Sequence, residues 1–219
     1  MKKIVILGTG GVCMDILETI NLINSSYEKY EVLGFLDDDP ERDGRDYYGV
    51  KVLGPLSHAG KLRDAFFVNG IGTALNFWVK KDIVRKTLMP AERFESIIHP
   101  SASVSSMAQI GNGVVVLQNA TITSNVKLGN HVMVFPNAVV SHDCVIGDFT
   151  SITGGVCVSG GVTIGESCYL GTNSSIRENI KIGNNCLIGM GSNLLKDVED
   201  NSVMLGNPAT FKRNTVPDK

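Results

Sequence analysis

The chain has 219 residues, enough for one large domain or two small ones, and its 43% hydrophobic content, 6% aromatic content and 24 glycines describe a soluble protein rich in small aliphatic side chains and turns. A formal net charge of −2 argues against nucleic acid or an anionic membrane as a partner, and five cysteines without paired spacing argue against a disulfide framework. The apolar run after Met1-Lys2-Lys3 is too short for a signal-peptide core and nothing elsewhere approaches a membrane span, so a cytoplasmic location is expected.

Ile4 to Leu7 is a continuous apolar run, the pattern of a strand buried on both faces of a parallel sheet. It passes into Gly8-Thr9-Gly10-Gly11-Val12-Cys13 and then into Met14, Ile16, Leu17 and Ile20 at helical spacing. Strand, glycine turn and helix in that order form a phosphate cradle, with Gly8, Gly10 and Gly11 letting a diphosphate approach the backbone. A second strand, Val32 to Leu36, ends in Asp37-Asp38-Asp39, where an acidic side chain could hold a ribose or a base. The gap from turn to acid is nearer thirty residues than twenty, and Cys13 stands where a dinucleotide fingerprint has its third glycine. The span from Met1 to about Phe94 suits one mononucleotide rather than NAD. The alternative is that the glycines only make a tight turn while Asp37 to Asp39 cap the loop before Pro40, and both readings stay open here.

After a turn-rich loop, Val50 to Leu56 reads as a strand entering a short helix, Ala65 to Ile71 as a strand, and Lys80 to Met89 as a helix stopped by Pro90. The alternation predicts a small Rossmann-like parallel sheet domain over residues 1–95.

From Ile98 to Leu194 an aliphatic residue returns at every sixth position, and a second column of smaller side chains sits two residues earlier, including Ala102, Ala120, Ala138, Cys144, Thr150, Cys168, Ser174 and Cys186. A fixed short period of this kind predicts a solenoid of stacked parallel strands, with a C-terminal tail, over residues 96–219. Glycine recurs every eighteen residues at Gly111, Gly129, Gly147, Gly165 and Gly183, so three hexads make a coil, and positive φ at a corner is the expected reason for it. Asparagines such as Asn112, Asn119, Asn125 and Asn130 are expected at corners with no chemical role, and all five cysteines are expected to be reduced packing residues.

Four histidines remain as candidate bases. His58 and His99 flank turns and read as structural, whereas His131 and His142 fall within the repeat. His142 is favoured over His131 because Asp143 follows it and could fix its tautomer and steady the imidazolium. A three-histidine zinc site is disfavoured, since eleven residues separate His131 from His142 and no third histidine lies downstream; no metal is expected.

Ile98-His99-Pro100-Ser101-Ala102, the Ile-Gly hexads, Ser141-His142-Asp143-Cys144-Val145-Ile146-Gly147-Asp148-Phe149 and Leu205-Gly206-Asn207-Pro208-Ala209 together resemble the sugar acyltransferases of the sialic acid O-acetyltransferase type. That group includes the N-acetyltransferases of nucleotide-linked 4-amino-4,6-dideoxyhexoses, and the resemblance covers nearly the whole chain. It implies a left-handed parallel β-helix, a homotrimer with active sites between neighbouring solenoids, His142 as general base and acetyl-CoA as donor. It further implies cofactor contacts at Ser151, where the family often has histidine, at Gly160, and at Met190 with Gly191. In the first domain the family usually has histidine where this chain has Val12. Lys196, Lys212 and Arg213 could attract the CoA phosphates. The expected activity is therefore N-acetylation of a nucleotide-linked amino sugar for surface glycan assembly. O-acetylation of sialic acid and a non-enzymatic trimeric nucleotide-sensing scaffold are the alternatives.

Overall fold

The structure, a computed structural model, describes residues 1–215; the end of the expected C-terminal tail lies outside them. In chain order its first half holds β1 (Lys2–Leu7), α1 (Gly11–Ser26), β2 (Tyr30–Leu36), β3 (Asp46–Tyr47), β4 (Val50–Lys51), β5 (Phe66–Asn69) and α2 (Lys80–Arg85). Ile4 to Leu7 are wholly buried because β1 is the central strand of a parallel sheet ordered β2-β1-β5. On one face of that sheet lie Cys13, Ile16, Leu17 and Ile20 of α1, in the same apolar cluster as Ile97, Val115, Leu117 and Met133 of the solenoid. On the other face Val5, Leu7 and Phe67 pack with Leu56, Val84, Phe94 and Phe149. Both cores therefore run from the first domain into the second, which fixes the crevice of one against the coils of the other.

Two elements differ from expectation. The stretch from Val50 is not a parallel strand: β4 folds back antiparallel on β3 around Tyr48-Gly49, both at positive φ, and only Val52 bridges to Phe35. Two consecutive left-handed residues make the tight hairpin turn whose twist suits paired strands. The helix from Lys80 ends at Arg85, before Met89, because the Thr87 hydroxyl donates to the Val84 carbonyl and Leu88 turns left-handed at φ 55°.

The second half is a left-handed parallel β-helix of about six turns, with two-residue strands stacked at eighteen-residue intervals on three faces. The sixfold register points inward, so Val116, Val134, Ile152, Leu170 and Ile188 form one buried stack. On the faces that the first domain does not cover, a two-residue strand turns its first side chain outward and its second inward, which is why Cys157 is exposed next to buried Val158, against the expectation that all five cysteines pack inside. Cys13, Cys144, Cys168 and Cys186 are buried and free. The antiparallel pair Ser202–Gly206 and Ala209–Asn214 closes the C-terminal end of the helix.

The recurring corner glycines also need a different explanation. None of Gly111, Gly129, Gly147, Gly165 and Gly183 has positive φ; instead a Cβ on Gly111 would lie 2.7 Å from the backbone of Gly129, and one on Gly147 would lie 2.5 Å from Gly165. Glycine is there because adjacent coils leave no room between their backbones. Left-handed backbone falls elsewhere on the corners, at residues that include Asn119, Asn125, His131, Asn137, Asp143 and Phe149.

Candidate active site

Strand Val139–Val140 ends one face of the prism, and Ser141, His142 and Asp143 carry the chain round the corner to buried Cys144. Asp143 takes φ 60° in doing so, a conformation that Asp tolerates through its short polar side chain. Its carboxylate accepts the Nδ1–H of His142 at 2.8 Å on one oxygen and the Nδ2–H of Asn125 at 3.1 Å on the other. Those two hydrogen bonds, the one from His142 first, hold the Asp143 carboxyl below the usual carboxylate range. The carboxylate in turn fixes the ring with its proton on Nδ1, leaving the Nε2 lone pair for a substrate proton. The side chain of His142 is 63% exposed.

Gly160 stands one coil further along the same corner. A Cβ there would lie 2.6 Å from Cε1 and 2.8 Å from Nε2 of His142, so the ring rests directly on this glycine. Among the described residues the Gly160 N–H donates to no other group of the chain. Gly160→Ala is expected to keep the fold but push the imidazole off its seat. Misplacement by about 1 Å can cost about 10²-fold; because this ring is free to swing into solvent, a loss nearer tenfold in kcat is expected in steady-state assays.

The structure separates the other candidates. His131 is 4% exposed, stacked on Phe149 with centroids 4.7 Å apart and set edge-on to Phe94 at 4.5 Å. Burial pushes its imidazolium down to about 4, and Nδ1 has no partner among the described residues, so it is a neutral packing residue of the domain junction. Ser151, expected at the thioester, is 2% exposed on the face covered by the first domain, and its Oγ accepts from Lys80 Nζ at 3.1 Å. Lys80 is itself fully buried, and burial pushes its ammonium down to about 7. Met190, 80% exposed, and Gly191, at φ 64°, lie on a different corner from His142, Asp143 and Gly160. Within one subunit the expected set is thus split into a corner with His142, a second corner with Met190 and a buried serine. Lys196 falls in the corner register of His142 three coils on, while Lys212 and Arg213 are exposed on the closing strand. Sequence reading missed Asn125; its only signal was the eighteen-residue period, which stacks it on Asp143.

In the first domain, the glycine turn, Asp37, Arg42, Gly70 to Thr73 and Asn76 line a crevice of about 370 Å³. Gly8 has φ 93°, and a Cβ on it would lie 2.6 Å from Ile71 Cγ1, so this glycine is required twice over. No side chain caps the N-terminus of α1. The first backbone N–H groups of the helix are therefore left to the crevice. Asp37 accepts the Thr9 hydroxyl at 2.6 Å, and Asp39 caps the short helix Pro40–Arg42. No cluster of three or more His, Cys, Asp or Glu side chains able to hold a metal ion is present among the described residues, and no helix there is long and apolar enough to cross a membrane.

Residues 3–87 match the PglD N-terminal domain, and residues 161–196 match the bacterial transferase hexapeptide (six repeats). The chain is 31% identical over 123 residues to UDP-N-acetylbacillosamine N-acetyltransferase of Bacillus subtilis (strain 168). That match covers 53% of this chain and 52% of the relative, so the chain spans about half the length of the curated protein it matches. PerB from Caulobacter crescentus, solved in complex with CoA and GDP-perosamine, superposes with a TM-score of 0.85 at 26% identity, over 97% of this chain and 98% of that one. The perosamine N-acetyltransferase of that organism was also solved, with the same two ligands, with a histidine replaced by asparagine. The acetyltransferase domain of PglB from Neisseria gonorrhoeae FA1090, in complex with acetyl coenzyme A, gives 0.83 at 25% identity, over 96% and 99%.

Proposed function

We propose that this chain, which belongs to the hexapeptide-repeat sugar acyltransferases with a PglD-type N-terminal domain, is an acetyl-CoA-dependent N-acetyltransferase of a nucleotide-linked 4-amino-4,6-dideoxyhexose. The observation that carries the reading is the exposed imidazole of His142, oriented by Asp143 and seated on Gly160. The Caulobacter and Neisseria neighbours, with CoA and GDP-perosamine or with acetyl coenzyme A, support the choice of donor and acceptor.

In this reading acetyl-CoA supplies a thioester-activated acetyl group. His142 Nε2 takes a proton from the substrate ammonium, and Asp143 steadies the imidazolium that forms. The freed amine adds to the acetyl carbonyl, the new C–N bond replaces the C–S bond, the nitrogen releases its second proton to water as the amide forms, and the leaving thiolate takes the proton held by His142. The unused N–H of Gly160, in the residue beside the base, would stabilise the oxyanion. Ser151, committed to Lys80 beneath the first domain, is dropped from the thioester contacts. Met190 and Gly191 remain cofactor contacts only if another copy brings its own corner to His142, and the homotrimer that the family resemblance implies would supply one. Gly8, Gly10 and Gly11 would hold the nucleotide diphosphate, and the product would pass to surface glycan assembly.

Calorimetry with acetyl-CoA and with UDP-, dTDP- and GDP-linked 4-amino sugars, followed by an assay for free CoA thiol, tests the reading. Binding of both partners with thiol release on mixing is expected. Turnover of free sialic acid without nucleotide binding would mark an O-acetyltransferase, and no CoA binding at all would mark a scaffold.

A further inference from the structure

The geometry points to Arg42 as the side chain that pairs with the substrate diphosphate, in place of any ligand role for Asp37 and Asp38. This rests on the reading of the glycine crevice as a nucleotide site.

Both carboxylates are already committed to the protein. Asp37 accepts the Thr9 hydroxyl at 2.6 Å and Arg42 Nη1 at 3.3 Å on one oxygen, and the Asp39 N–H at 3.0 Å on the other. Asp38 accepts the Leu56 N–H at 3.0 Å on one oxygen and Lys86 Nζ at 2.7 Å on the other. A hydroxyl of ribose would have to compete with a cation or a backbone donor at each of the four oxygens.

Arg42 shows the opposite balance. Nε donates to Asp39 at 3.0 Å, while Nη1 donates to Asp37 and to the hydroxyl of Thr9, the residue between the first two glycines of the turn. Nη2 and its two hydrogens donate to nothing among the described residues. The guanidinium is therefore held through Nε and Nη1, with Nη2 left unused and the side chain 38% exposed. Among the residues that line the crevice it is the one cation, and the turn beside it offers N–H groups but no side-chain acceptor that is free. A free Nη2 held in place through the other two nitrogens suits a ligand that brings anionic oxygens, since a hydrogen bond from guanidinium to phosphate is charge-assisted. The network also gives a purpose to Thr9 and Asp37: they hold Arg42 extended over the turn, so little side-chain freedom is lost when the ligand arrives.

The test is calorimetry of the wild type, Arg42→Met and Arg42→Lys against a nucleoside diphosphate, the matching monophosphate, the nucleoside and acetyl-CoA. Arg42→Met is expected to weaken the diphosphate by about 10- to 100-fold, the size of a hydrogen bond to a charged group, and to leave acetyl-CoA binding unchanged. Arg42→Lys should recover part of that loss, and the effect should shrink from diphosphate to monophosphate to nucleoside. Diphosphate binding as tight in Arg42→Met as in wild type overturns the assignment alone, as does an equal loss for nucleoside and diphosphate. Wild type that binds no nucleoside diphosphate overturns the nucleotide reading and this one with it. Should Arg42→Met fail to fold, Arg42→Gln, which keeps a donor for Asp37, carries the same comparison.

Discussion

His142→Ala is expected to lower kcat by about two to four orders of magnitude, the usual contribution of a positioned general base. The loss should come without unfolding, because the ring is 63% exposed and stands on the surface of Gly160 rather than in the core. Acetyl-CoA affinity and melting temperature should stay close to wild type, so the defect lies in proton transfer. Asp143→Asn should cost less, since the ring keeps its seat on Gly160 while losing the carboxylate that steadies the imidazolium. His131→Ala should behave in the opposite way, with a lower melting temperature from the void between Phe94 and Phe149 and normal turnover per folded molecule. Near-normal turnover in His142→Ala, measured by thiol release at saturating substrate, would remove the base assignment.

Lys80→Met is expected to stabilise the protein at neutral pH. Lys80 is fully buried, with the Ser151 hydroxyl as its hydrogen-bond partner and no carboxylate in an ion pair with it among the described residues. Burial pushes its ammonium from 10.5 down to about 7. The folded chain therefore gives up this proton near pH 7, whereas the unfolded chain holds it to about 10.5. Between those values the unfolded state binds more protons, so the contribution of Lys80 to stability improves as pH rises and is worst at and below pH 7. The full effect is on the order of a few kcal/mol. Methionine fills a similar volume without an ammonium, and a melting-temperature gain of about 5 °C at pH 7 is expected for a chain of this size. That gain should shrink as pH is raised toward 9.

The comparison belongs between variant and wild type at each pH, because other groups titrate nearby. Burial holds the Cys13 thiol up to about 12, which makes folding weaken with rising pH above 9 in both proteins. His131, with its imidazolium pushed down to about 4, adds stability that is lost as pH falls from 6.5 toward 4, outside the Lys80 window. A variant less stable than wild type at pH 7, or one with an unchanged advantage at pH 9, would show that the amine is not held neutral by burial.

Much of the architecture is legible in the residues because it repeats. A sixfold aliphatic register from Ile98 to Leu194 has one economical solution, stacked short strands that bury every second side chain, and each coil confirms the one before it. The run from Ile4 through the glycine turn to α1 is equally local, since strand, turn and helix are consecutive. His142 beside Asp143 is also a neighbour effect, visible without any fold.

What the residues left open depends on contacts between distant parts of the chain. Phe94 and Phe149 close over the His131 ring, whereas the His142 ring stands in solvent, a difference that no local pattern carries. The Ser151 hydroxyl accepts from Lys80, a residue of the other domain 71 positions away. Asp37 accepts from Arg42 and, across 28 positions, from Thr9, and the corner glycines lie against the backbone of the next coil. By itself the sequence determined the solenoid, the glycine crevice and the histidine–aspartate pair, because periodicity and adjacency act within a few residues. Only the tertiary structure decided which polar groups remain free to meet a ligand, because a hydrogen-bond partner or a covering side chain can come from anywhere in the chain.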